Sequence, residues 1–117
     1  VMALEVRMGV NHTDDLDHAL AQAAKVCDVV ACTRSGNDVW VRSSDTQVTA
    51  PVTPARVVDA TGAGDQFAAG FLFGLAQGRD METSARMGIV CAREVIGHMG
   101  PRPIVDVADL FRAEGLI

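Results

Sequence analysis

The stretch VVDATGAGDQFAAGF, residues 57–71, constrains the fold more than any other part of the chain. Three small residues, Gly62, Ala63 and Gly64, lie between two acids, Asp59 and Asp65, and an apolar helical pattern follows at once. Phe67, Ala68, Phe71, Leu72 and Leu75 share one face of the expected helix, which stops near QGRD. Gly70 and Gly74 sit a turn apart within it. They cost helix propensity, so their expected use is close packing against another backbone.

Around this fixed point the remaining elements can be read. Thr13 or Asp14 is the candidate N-cap of an earlier helix, with Leu16, Leu20, Ala23 and Cys27 at helical spacing. DVVACT, 28–33, reads as a buried strand, SGN as a turn and DVWVRS as a second strand, which makes 28–43 a hairpin. TQVTA adds a candidate third strand, and Pro51 and Pro54 punctuate the connection to ARVVDA. A helix over roughly 81–97 carries Ala85, Ile89, Ala92 and Ile96 on one face, and GPRP ends it. VADLFRAEG forms a last short helix. The class is α/β. The candidates for a parallel sheet are 28–33 and a piece near the N-terminus, too few strands to cover several apolar helix faces. Residues 1–117 therefore read as the C-terminal portion of a larger fold.

Composition narrows the function. A chain of 117 residues allows one small domain, and 49% hydrophobic with 21% charged residues reads as globular. The net charge of −5 argues against nucleic acid as a partner. The apolar runs are too short to span a bilayer, and VMALEV lacks a signal-peptide pattern. Cys27, Cys32 and Cys91 are odd in number and lack C-x-x-C spacing, so they read as structural thiols of a reducing, cytoplasmic compartment.

The loop at 61–65 raises a chemical question, because an acid stands where an anion would bind. Amides at a helix start have no intrahelical partner, and the macrodipole adds partial positive charge. A Gly-Ala-Gly turn keeps side chains away, so these amides can face a phosphate. Asp65 would repel that phosphate, yet it can accept the proton of a hydroxyl that attacks it. Phosphoryl transfer needs little more than positioning, charge stabilisation and an in-line nucleophile. The competing reading is an ordinary helix start whose first turn Asp65 stabilises. A P-loop is absent, and GAGDQF places Phe67 where a dinucleotide motif has its third glycine.

DATGAGDQFAAGF resembles the C-terminal signature of the ribokinase-like kinases, the phosphofructokinase-B-type carbohydrate kinase family, which reads D-T-x-G-A-G-D before a helix of small and aromatic residues. CAREVIGHMGPRP resembles the family's Ala-rich helix and its Gly-Pro ending, and VVACTRSG resembles its strand ending in Thr before a nucleotide-binding turn. The resemblance covers most of 28–103 and implies the C-terminal part of a three-layer α/β/α fold. It implies ATP-dependent transfer to a sugar or nucleoside hydroxyl, with adenosine favoured because GFLFGLAQGR and GPRP are similar to bacterial adenosine-kinase-like members.

By the same resemblance Asp65 falls on the catalytic base, and Gly62, Ala63 and Gly64 with the Asp65 amide on the anion hole. Thr33 and Gly36 fall in the turn lining the ATP site, and Ile89 and Ala92 on the helix bordering the adenine pocket. Asp59 and Thr61 match a monovalent-cation (K+) site that backbone oxygens near Ile96 to Gly100 would complete, and Mg2+ would travel with ATP. The family leaves a homo-oligomer open. Three positions depart from its pattern: Ala60 replaces the usual Thr, and Ser35 and Asp38 stand at glycine positions of the nucleotide turn. The alternative is a nucleotide-binding fragment without turnover. His12, His18 and His98 read as scattered structural histidines, Met87 and Met99 as filler, and Trp40 as a packing residue.

Overall fold

The structure, a computed structural model, describes residues 2–5, 16–34, 37–43 and 46–117. The expected caps Thr13 and Asp14, together with His12, Ser35 and Gly36, lie outside the described residues. The chain forms two compact units, Val1–Val52 and Thr53–Ile117.

The first unit is a sheet with one helix. Its elements are β1 (Met2–Glu5), α1 (Leu16–Ala24), β2 (Val29–Arg34), β3 (Asn37–Ser43) and β4 (Gln47–Ala50). The strands form one sheet in the order β1-β2-β3-β4. β1 runs parallel to β2, with Ala3 opposite Ala31, and the other two pairings are antiparallel. The hairpin and the third strand thus match the sequence pattern, and the piece near the N-terminus is the parallel strand β1. β-branched residues suit the pleated surface, and Val30, Val39 and Val41 are buried. Leu20 packs with Val30 and Cys32, and Cys27 and Trp40 pack against that cluster. Helix α1 ends at Ala24, so Cys27 lies beyond the helix on which its spacing placed it. The Arg34 guanidinium sits 4.9 Å from the centroid of the Trp40 ring.

The second unit is helical. It contains α2 (Ala63–Ala76), α3 (Met81–Ile96) and α4 (Val107–Ala113). Glycines let α2 and α3 meet backbone to backbone. A Cβ on Gly70 would lie 2.6 Å from the Met87 carbonyl oxygen, and one on Gly74 would lie 2.8 Å from the Ser84 Cα. The fit is reciprocal, because a Cβ on Gly88 would lie 2.7 Å from the Phe67 ring. Phe67, at the position that a dinucleotide motif gives to glycine, therefore has its glycine on the facing helix.

This close approach turns α2 away from the expected apolar stripe. Phe67, Gly70, Phe71 and Gly74 are its buried residues, while Leu72 stays 48% exposed. Contact centres on the glycines because the partner backbone can come nearest there. On α3 the buried set includes Ala85 and Ile89 of the expected face, and also Met87, Gly88, Val90, Cys91 and Val95. Ala92 and Ile96 are half-buried. Phe111 and Leu116 complete a core with Met87, Val90 and Cys91. Cys32 and Cys91 are buried and Cys27 is half-buried, and Cys27 and Cys91 are free thiols. Burial pushes the Cys91 thiol up to about 11, which suits a packing role. Among the described residues no helix is long and apolar enough to cross a membrane.

Candidate anion site at a helix start

Helix α2 begins without a side-chain cap. Gly62 is its N-cap, with φ 80° and ψ 4°. That left-handed conformation favours glycine. Space demands glycine too, since a Cβ on Gly62 would lie 2.8 Å from the Cβ of Pro101. The turn uses some of its own amides. Thr61 donates its N–H to Asp59 Oδ1 at 3.0 Å, and Ala63 donates to the Ala60 carbonyl at 3.2 Å. The Gly62 carbonyl accepts from the Gln66 amide at 2.9 Å. The amides of Gly62, Gly64 and Asp65 have no hydrogen-bond partner among the described residues. Of the three residues expected to form an anion hole, Ala63 thus spends its amide within the turn. Gly62, Gly64 and the Asp65 amide remain open.

Asp65 is the third residue of α2 and is exposed. Its carboxylate has no hydrogen bond or ion pair among the described residues, so it does not act as the cap of its own helix. An acid one turn into a helix gains from the dipole, but here it keeps all its lone pairs for another group.

Asp59 is placed quite differently. Oδ1 accepts the Thr61 hydroxyl at 2.6 Å and the Thr61 amide, and Oδ2 accepts the Gly100 amide at 3.0 Å. The Thr61 hydroxyl, then the two amides, hold its carboxyl below the usual carboxylate range. The amides of Val58 and Asp59 both donate to the Ile96 carbonyl, at 2.7 and 3.2 Å. Asp59 therefore joins the turn to the loop that follows α3. Asp59 and Thr61 bond each other. Among the described residues no group of three or more His, Cys, Asp or Glu could hold a metal ion.

The loop after α3 carries a residue whose role the sequence reading missed. His98 donates from Nε2 to Glu94 Oε1 at 2.7 Å and from Nδ1 to the Met99 carbonyl at 3.0 Å. The carbonyl and the carboxylate raise its pKa above the ordinary histidine value. The available signal was the acid four residues earlier on a helix.

The other expected residues are dispersed. Ile89 is buried and Ala92 half-buried on α3. Thr33 belongs to the first unit, half-buried in β2 where the register shifts between Cys32 and Arg34. Gly36 lies outside the described residues. The second unit thus brings Asp59, Thr61, Gly62, Ala63, Gly64 and Asp65 into one turn.

Known proteins share this arrangement of sequence and fold. The family described as pfkB family carbohydrate kinase matches residues 3–107. A protein of Archaeoglobus fulgidus named an uncharacterized sugar kinase is 39% identical over 75 residues, covering 64% of this chain and 30% of that protein. The crystal structure of a probable sugar kinase protein from Rhizobium etli superposes with a TM-score of 0.85 at 39% identity, over 90% of this chain and 32% of the other. The adenosine kinase of Sinorhizobium meliloti gives a TM-score of 0.82 at 41% identity, over 87% of this chain and 32% of its own. The chain spans about a third of the length of these relatives.

Proposed function

This chain belongs to the pfkB family of carbohydrate kinases, and from that membership we propose that it is the C-terminal portion of an ATP-dependent sugar or nucleoside kinase. The single observation that carries the proposal is the start of α2, where open amides and an unpartnered carboxylate stand side by side. The Gly62, Gly64 and Asp65 amides stabilise the negative charge on the transferred phosphoryl group. Asp65 accepts the proton of the acceptor hydroxyl as the new O–P bond forms and the bond from the γ-phosphorus to the departing ADP breaks. Its freedom from protein partners suits that task, because a carboxylate engaged as a cap would have to break a bond first. Bound ATP would carry magnesium, which would supply neutralisation of the phosphate charge.

Adenosine is the favoured acceptor, supported by the likeness to the Sinorhizobium meliloti adenosine kinase. A sugar acceptor is the second reading, supported by the likeness to the Rhizobium etli protein. Thr33, Gly36, Ile89 and Ala92 are proposed to line the nucleotide site. A potassium site through Asp59 and Thr61 would have to draw on backbone oxygens, and no step here runs through it. The free thiols of Cys27 and Cys91 fit a cytoplasmic setting.

The test uses the full-length protein, with turnover measured against a panel of nucleosides and sugars. Asp65→Asn keeps the shape and removes the basicity. It should lower turnover at least ~100-fold, the lower end for loss of a general base. ATP affinity and melting temperature should stay near the parent's. Near-parental turnover would remove Asp65 from the chemistry.

A further inference from the structure

The loop between α3 and α4 is fastened at several points to the turn that begins α2. Gly100 donates its amide to Asp59 Oδ2 at 3.0 Å. The Pro101 carbonyl accepts from Gln66 Nε2 at 3.2 Å, and Pro101 fills the space against Gly62, where a Cβ would come within 2.8 Å of it. The loop itself is closed by one ion pair. His98 spans Glu94 and the Met99 carbonyl, two acceptors that an imidazolium, with a donor on each ring nitrogen, satisfies together. Glu94 Oε2 accepts the Ile104 amide at 3.4 Å, so one carboxylate gathers both ends of the loop. An exposed pair at this spacing would contribute little. The His98 and Glu94 side chains are 15% and 7% exposed, and the pair closes a loop rather than decorating a helix face.

We propose that Glu94 and His98 are positioning residues, which hold the 97–104 loop so that Gly100 and Pro101 fix the 59–65 turn with its amides open. The pair touches neither phosphate nor acceptor. It acts through Gly100 on Asp59 and through Pro101 on Gly62. The consequence for rate rests on the phosphoryl-transfer reading, whereas the brace itself does not.

The experiment compares His98→Ala, Glu94→Ala and Glu94→Gln in the full-length protein, by steady-state kinetics and by amide hydrogen exchange. Glu94→Gln keeps an oxygen for the His98 Nε2–H and serves as the conservative rescue. Both alanine variants should raise exchange at Gly100 and at the hydrogen-bonded amides of Asp59, Thr61 and Ala63 by about 10-fold or more, with residues 84–91 of the α2–α3 contact unchanged. Their kcat should fall about 10- to 100-fold, with a smaller change in the KM for ATP, because the displaced amides act mainly on the transition state. Glu94→Gln should recover part of both effects, because it offers one uncharged oxygen where the carboxylate offers two. Unchanged exchange at Asp59, Thr61 and Ala63 would overturn the brace, as would exchange that rises throughout α3 in all three variants. Parental kcat alongside loosened exchange would overturn the positioning role. Normal turnover by Asp65→Asn would instead overturn the phosphoryl-transfer reading, and exchange alone would then decide the brace.

Discussion

Helices α2 and α3 pack against each other, yet they begin in opposite ways. α3 starts with Asp80 in extended conformation, and its side chain accepts the Thr83 amide at 2.7 Å. α4 does the same, with Asp106 accepting the Ala108 amide at 3.0 Å. α2 starts on a left-handed glycine with no side-chain cap, and the acid in its first turn, Asp65, makes no hydrogen bond or ion pair among the described residues. A cap typically contributes about 1 kcal/mol, and leaving it out forgoes that stability. The difference teaches that the amides of α2 are kept free. The turn is nevertheless well held, since Thr61, Gly100 and Ile96 all bond to its approach. Rigid backbone with open donors is what an anion hole requires.

Substitution of the two glycines at this start breaks the comparison most severely. Gly62→Ala meets a backbone cost of about 1–2 kcal/mol for the left-handed conformation, with the Pro101 contact added to it. Its turnover in the full-length protein should fall about 100-fold, comparable to loss of one oxyanion donor. Gly64→Ala separates the two demands on glycine. A Cβ there meets nothing within 4 Å, so the protein fold alone does not require glycine. Stability should hold or rise by about 0.5–1 kcal/mol, as for Gly to Ala in a helix. Turnover should drop nonetheless, because the new methyl stands beside the open amide. Thermal melts and initial rates on both variants check this, and an unimpaired Gly64→Ala enzyme would mean that no phosphate approaches Gly64.

A smaller effect sharpens the contrast from the other side. Asp80→Ala removes the α3 cap and should cost about 1 kcal/mol in denaturant unfolding. Its kcat should not change. The same carboxyl is held below its usual range by the Thr83 amide, so its contribution is present at neutral pH. That contribution is lost as pH falls through the lowered pKa, and the gap between Asp80→Ala and the parent should close in acid.

Much of this contrast was legible in the sequence. Gly70 and Gly74 announced a close helix contact, and the structure places the Met87 carbonyl and Ser84 against them. The same pattern misjudged the face of α2, because side-chain hydropathy favours Leu72 while backbone approach favours glycine. The hairpin was readable from its turn residues. The parallel partner near the N-terminus was expected only as a piece without bounds, since a strand of four residues gives no period and its partner lies more than twenty residues away along the chain. At the site, the G-A-G-D block marked the turn and Asp65. It could not show that Ala63 uses its amide within the turn. Nor could it show that Asp59 reaches Gly100, because a hydrogen bond spanning 41 residues leaves no local trace. Glu94 and His98 stand four residues apart, a signal that the reading of His98 as a scattered histidine passes over, and their link to Ile104 comes from the loop's path.

The central claim is that α2 is left open for a phosphate. The most direct measurement is a crystal structure of the full-length protein with a non-hydrolysable ATP analogue and an acceptor bound. The account predicts the terminal phosphate within hydrogen-bond distance of the Gly64 and Asp65 amides, with the Asp65 carboxylate facing the acceptor hydroxyl. Phosphates bound away from this turn, or a protein side chain capping these amides in the complex, would contradict it.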